Sequence, residues 1–122
     1  MRRFPALIAA VAALTLAGTA YAHPKMLSAN PAANATVAKP AHIELHFSEK
    51  LMPAFSKAEL IMAAMPGLAA MKMASSAAVG PDGRTLIITP NGSLPRGRYN
   101  VAWHVVSTDT HKVAGTYAFA VK

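Results

Sequence analysis

The chain has 122 residues, 53% of them hydrophobic and 14% charged, with 12 Lys and Arg against 5 Asp and Glu for a formal net charge of +7. It contains no cysteine, which excludes disulfides, thiolate zinc sites and blue-copper centres, since each needs a Cys sulfur. Beyond Arg2 and Arg3 its basic residues are scattered singly with little aromatic interleaving, which argues against a nucleic-acid surface.

The first 22 residues read as an export signal. Arg2 and Arg3 form a charged start, the stretch from Ala6 to Ala17 is almost purely apolar, and Ala20-Tyr21-Ala22 supplies a small-residue cleavage signature. The apolar run is shorter than the roughly 20 residues that span a bilayer. Cleavage after Ala22 therefore assigns residues 1–22 to a removed signal peptide and leaves one domain of 100 residues, 23–122. No later segment is apolar enough to span a membrane, so the processed chain is not expected to be membrane-spanning. Arg2 and Arg3 depart with the signal; ten basic residues then face five acidic ones, and the net +5 permits contact with an anionic surface.

Beyond His23, turn signals divide the chain into short extended segments. Asn30 to Asn34 is a turn or loop. Ala41 to Ser48 alternates, with Ile43, Leu45 and Phe47 on one side and His42, Glu44 and His46 on the other, as a half-buried strand does. Lys57 to Met62 is extended after Pro53; Ala, Leu and Met also permit a helix over Ser56 to Met65, but prolines stand at its borders. Pro81-Asp82-Gly83 bends between two strands, the second at Thr85 to Thr89. Tyr99, Val101, Trp103 and Val105 alternate again, as do Tyr117, Phe119 and Val121 after the polar loop Ser107 to His111. Some seven short strands predict an all-β Greek-key barrel or sandwich.

Cleavage after Ala22 creates a metal chelate. A free α-amine and the Nδ1 of His23 close a six-membered ring on one ion, and nitrogen donors in a tetragonal plane suit Cu(II), which tops the divalent affinity order. Pro24 has no amide hydrogen for the ion to displace, so the remaining ligands must come from elsewhere in the fold. Asp109-Thr110-His111 is the candidate: in an extended loop, residues two apart project to one side, bringing a carboxylate and an imidazole to the same ion. The alternative is an ordinary solvated loop, since Asp and Thr are common loop formers.

Four segments taken together carry a family resemblance: His23-Pro24-Lys25, Ile43 to Glu49, Met62 to Gly67, and Ser107 to His111. In order and spacing they resemble the CopC family of periplasmic copper-binding proteins over essentially all of residues 23–122. The resemblance implies a cupredoxin-like or immunoglobulin-like Greek-key β-barrel. It also implies a Cu(II) site made of the amine and imidazole of His23, the carboxylate of Asp109 and the imidazole of His111, with Glu49 at most supporting it. Affinity for Cu(II) is expected to fall in acid, because amine and imidazoles bind as free bases.

Some members also bind Cu(I) through thioethers, which are soft ligands. Here Met62, Met65, Met71 and Met73 fall within twelve residues. The pattern is broken, however: Leu68 stands where another Met is expected and Ala70 where a His is expected, and Lys72 puts a positive charge between two thioethers. The competing reading is that Met62 packs in the core and the others fill gaps. His42 and His46, about 13 Å apart along one strand, are expected to be surface residues that do not share an ion. His104 faces solvent or the second sheet, and Met26 and Met52 are packing residues.

The expected function is an exported, periplasmic protein that sequesters or delivers copper in resistance or homeostasis, and is not an enzyme. The resemblance implies an inner-membrane copper transporter of the CopD type as partner. Two rival readings follow from the same residues. A His at the new N-terminus with a second His also describes the histidine brace of copper monooxygenases; small size, the Asp109 carboxylate and the lack of an aromatic platform weigh against it. A metal-free immunoglobulin-like interaction module would need the strands alone.

Overall fold

Alternating apolar residues build two facing sheets in the computed structural model, which describes residues 23–122; the predicted signal peptide and its cleavage site lie outside the described residues. The strands are β1 (Met26–Asn30), β2 (Thr36–Val37), β3 (Ile43–Phe47), β4 (Lys57–Met62), β5 (Met71–Met73), β6 (Ser75–Val79), β7 (Thr85–Pro90), β8 (Gly97–Val106) and β9 (Lys112–Val121), with one 3-10 turn at Pro53–Phe55. One sheet runs β1-β3-β7-β6 and the other β2-β9-β8-β4-β5. All pairings are antiparallel except β2 with β9. The predicted all-β class holds, and the two sheets make it a sandwich.

The core is the inward register of these strands. Ile43, Leu45 and Phe47 from β3 and Leu86 and Ile88 from β7 meet Leu60 and Met62 from β4, Tyr99, Val101, Trp103 and Val105 from β8, and Tyr117, Phe119 and Val121 from β9. Each fully buried aliphatic side chain contributes roughly 1.5–3 kcal/mol over its exposed state. Phe47 meets Trp103 edge-on with ring centroids 5.1 Å apart, and Tyr99 stacks on Phe119 at 5.6 Å. Both are favoured aromatic geometries.

Among the described residues there are nine strands where some seven were expected. The two-residue β2 is too short to show a period, and the Ala- and Met-rich stretch crosses from one sheet to the other at Ala74, making β5 and β6 from one segment. Ser56 to Met65 is not helical: β4 lies between β8 and β5, and pairing on both edges overrides the helix preference of Ala, Leu and Met. The strand around Leu45 is shorter than Ala41 to Ser48, and His42 lies just outside it.

Candidate metal centre

Two chain segments meet at the end of the sandwich where β8 finishes. Pro24 is fully buried while His23 and Lys25 on either side are exposed. A buried proline thus pins the beginning of the domain and leaves His23 at the surface. Lys25 and Ser48 clip this segment down: the Lys25 N–H donates to Ser48 Oγ at 2.9 Å, and the Ser48 N–H donates to the Lys25 carbonyl at 2.9 Å. Glu49, next in sequence, is thereby held beside the start of the domain.

The second segment is the β8–β9 loop. It closes through the Ser107 N–H on the His111 carbonyl (2.9 Å) and the Thr110 N–H on the Ser107 carbonyl (2.8 Å), and is tied to its neighbour by the Thr108 N–H on the Lys50 carbonyl (2.9 Å). Thr110 has φ 73°, a left-handed conformation unusual for a β-branched residue. The loop is therefore a tight turn, and the expectation of an extended segment is corrected. Asp109 and His111 still come together, through that turn: His111 Nδ1 lies 3.1 Å from Asp109 Oδ2.

The rings of His23 and His111 approach to a centroid distance of 4.8 Å, with planes inclined at 59°. Asp109 also accepts a hydrogen bond from the buried Ser107 hydroxyl. That hydroxyl, and after it the His111 ring, holds the Asp109 carboxyl below the usual carboxylate range. Ser107 was not singled out in the sequence; its place two residues before an aspartate in a polar loop is the only local signal of it.

All three predicted Cu(II) ligands thus sit at one end of the molecule. Among the described residues, however, no group of three His, Asp or Glu side chains is arranged to hold an ion as it stands. Asp109 is engaged with Ser107 and His111, and the His23 nitrogen is in a peptide bond with Ala22 in the uncleaved sequence. The donor set fits Cu(II) in kind, two imidazoles and a carboxylate.

The four candidate methionines, Met62, Met65, Met71 and Met73, lie toward the opposite end, about one β8 strand length away, roughly 30 Å for ten residues. Met62 and Met71 are directly paired across β4 and β5, so their side chains leave the sheet on the same face. The Sδ atoms of Met62 and Met65 each lie 3.8 Å from the position a Cβ would take at Gly97, whose missing side chain leaves them room. Met65, itself exposed, precedes a two-residue turn at Pro66-Gly67, with Gly67 at φ 78° and reciprocal bonds between Met65 and Leu68. Met73 pairs with Leu60 and packs against the core.

Lys72 does not stand between thioethers. It pairs with Ile61 on the other face of the sheet, where its Nζ lies 3.0 Å from Glu59 Oε1. Strand alternation separates the charge from the sulfurs. Leu68 and Met71 are exposed and Met62 is buried.

The remaining residues fall where expected. His42 and His104 are exposed and Met26 and Met52 are half-buried. Among the described residues, no helix is long and apolar enough to cross a membrane.

A CopC domain model matches residues 26–122. Copper resistance protein C of Xanthomonas campestris pv. juglandis is 49% identical over 114 residues, covering 92% of this chain and 90% of that protein. Among solved structures, PcoC, a methionine-rich copper resistance protein from Escherichia coli, superposes with TM-score 0.77 at 44% identity, covering 83% of this chain and 100% of that one. CopC from Methylosinus trichosporium OB3b gives TM-score 0.71 at 29% identity, covering 82% of this chain and 94% of that one.

Proposed function

The chain belongs to the CopC family, and from that premise we propose that it is an exported, periplasmic copper-resistance protein that binds copper as cargo and sequesters or delivers it. Cu(II) is held by the amine and imidazole of His23, the Asp109 carboxylate and the His111 imidazole. The observation that carries this reading is the 4.8 Å approach of the His23 and His111 rings, with Asp109 on the second of them. Signal cleavage after Ala22 supplies the fourth donor, so the site is completed by export itself.

The protein's own part is positioning. Buried Pro24 and the Lys25–Ser48 clip fix the amine end, and the Ser107 hydroxyl keeps the carboxylate ionised and oriented. Such support to ligands commonly accounts for tenfold or more in metal affinity. Electron paramagnetic resonance of residues 23–122 with one equivalent of Cu(II) tests the assignment: hyperfine structure from three nitrogens is expected, and a spectrum lacking nitrogen coupling would refute it.

Cu(I) is held separately by the thioethers of Met62, Met65 and Met71, with Met73 nearer the core. Their support is the shared face of Met62 and Met71 and the two sulfurs at Gly97. The two copper ions then sit at opposite ends of the sandwich. An inner-membrane transporter of the CopD type is the proposed receiving partner, and the role is carriage rather than catalysis.

A further inference from the structure

A second constellation of donors stands on the outer face of the first sheet, and the Cu(II) site makes no use of it. His46 and Glu44 alternate along β3 with the buried Leu45 between them, so both side chains leave the sheet on the same side. His46 Nε2 lies 3.6 Å from Glu44 Oε2, with the two side chains 39% and 40% exposed.

The hydrogen bonds behind His46 decide which of its nitrogens carries the proton. The Thr85 hydroxyl donates to Asp82 Oδ2 at 2.7 Å. Asp82 is a firm acceptor, because the backbone N–H of Arg84, and after it the Thr85 hydroxyl, hold its carboxyl below the usual range. Thr85 has one hydroxyl hydrogen and has given it to Asp82, so towards His46 Nδ1, 3.1 Å away, its oxygen can only accept. His46 Nδ1 therefore carries the hydrogen, and in the neutral ring Nε2 presents its lone pair to the Glu44 carboxylate.

Two acceptors facing each other at this distance leave room for a positive charge between them, a proton or a metal ion. The residues directly opposite on the neighbouring strands are Ser28 and Asn30 on β1 and Thr85 and Ile87 on β7, none of them basic. His42, on the other side of Glu44, turns its Nδ1 to Thr89 Oγ1 at 3.3 Å and does not join. The separation suits a metal ion: donors at about 2.0–2.2 Å from one ion and 3.6 Å from each other subtend about 120° there. A carboxylate acting on a ligating imidazole through its other nitrogen, here Asp82 by way of Thr85, is the usual outer support of a histidine ligand.

We propose that His46 Nε2 and Glu44 Oε2 form an auxiliary site for a divalent transition ion such as Zn(II) or Cu(II), with water completing the coordination and Asp82–Thr85 locking the ligating tautomer. With two protein donors it is weaker than the N-terminal site and fills after it.

The test is imidazole ¹⁵N NMR on residues 23–122 carrying His23→Ala and His111→Ala, titrated with Zn(II). The metal-free spectrum should show His46 as the Nδ1–H tautomer, and Zn(II) should shift its Nε2 resonance saturably. Glu44→Gln should abolish saturation, and Thr85→Val should weaken binding by about tenfold, with backbone amide shifts confirming that each variant is folded. Three results would overturn the proposal: an Nε2–H tautomer, a His46 resonance indifferent to Zn(II), or unchanged binding in Glu44→Gln. A protonated His46 paired with Glu44 at neutral pH, unmoved by Zn(II), would assign the gap to a proton instead.

Discussion

The imidazoles of His23 and His111 lie with their centroids 4.8 Å apart, although one opens the domain and the other sits in the last loop before the final strand. The rings meet whether or not the His23 nitrogen is free, so a free amine adds a donor to a pair of imidazoles already in place. A chain beginning at His23 should therefore bind Cu(II) more tightly, by more than about tenfold or 1.4 kcal/mol, than one carrying an extra residue ahead of it. Competition titration against a chelator measures the difference; equal affinities would remove the amine from the ligand set. His23→Ala should weaken binding further.

Met71 and Met73 belong to one short strand but have different neighbours. Met71 faces Met62 at the sheet edge, whereas Met73 faces Leu60 and packs on the core. Met71→Leu should lower Cu(I) affinity by about tenfold or more, and Met73→Leu should cost less. A Cu(I) competition assay compares them, and identical losses would contradict the assignment by strand partner.

Trp103 and Gly115 are directly opposed on β8 and β9, and a Cβ added at Gly115 would stand 2.4 Å from the indole Cζ2. The indole is hemmed in by Phe47 on its other side. Gly115→Ala should destabilise the fold by about 1–3 kcal/mol, read from urea unfolding followed by Trp103 fluorescence.

Asp82 ties its turn together by accepting from the Arg84 and Thr85 backbone N–H groups and from the Thr85 hydroxyl. Its carboxyl titrates below the ordinary value in the folded chain, the Arg84 backbone bond being the largest cause. The stabilisation is therefore present above the unfolded-state value near 4 and lost as pH falls through the lower folded value. Asp82→Ala should be less stable than the parent at pH 7, with the gap closing in strong acid; urea midpoints at the two pH values check this.

Much of this molecule could be read directly from its residues. Period-two alternation at Ile43-Leu45-Phe47, at Tyr99 to Val105 and at Tyr117 to Val121 marks strands because each turns every second side chain to one face. The candidate donors could be named from the residues too, since a His after a predicted cleavage signal and an Asp-x-His loop each suggest their chemistry locally. What was not legible is whatever depends on a partner strand. Lys72 looks intrusive in a row of methionines, and pairing with Ile61 puts it beside Glu59 instead.

His46 makes the same point. Along β3 it alternates with core residues and reads as surface, and the sequence does not disclose that Thr85 and Asp82 decide its tautomer. Composition, periodicity and the residues at the two ends of the domain determined the fold class and the donor types, because those are properties of short stretches. The meeting of His23 with His111, the turn that joins Asp109 to His111 and the separation of Lys72 from the thioethers were decided by tertiary structure. Each depends on distances between residues far apart in the chain, and strand pairing and loop closure alone set those distances.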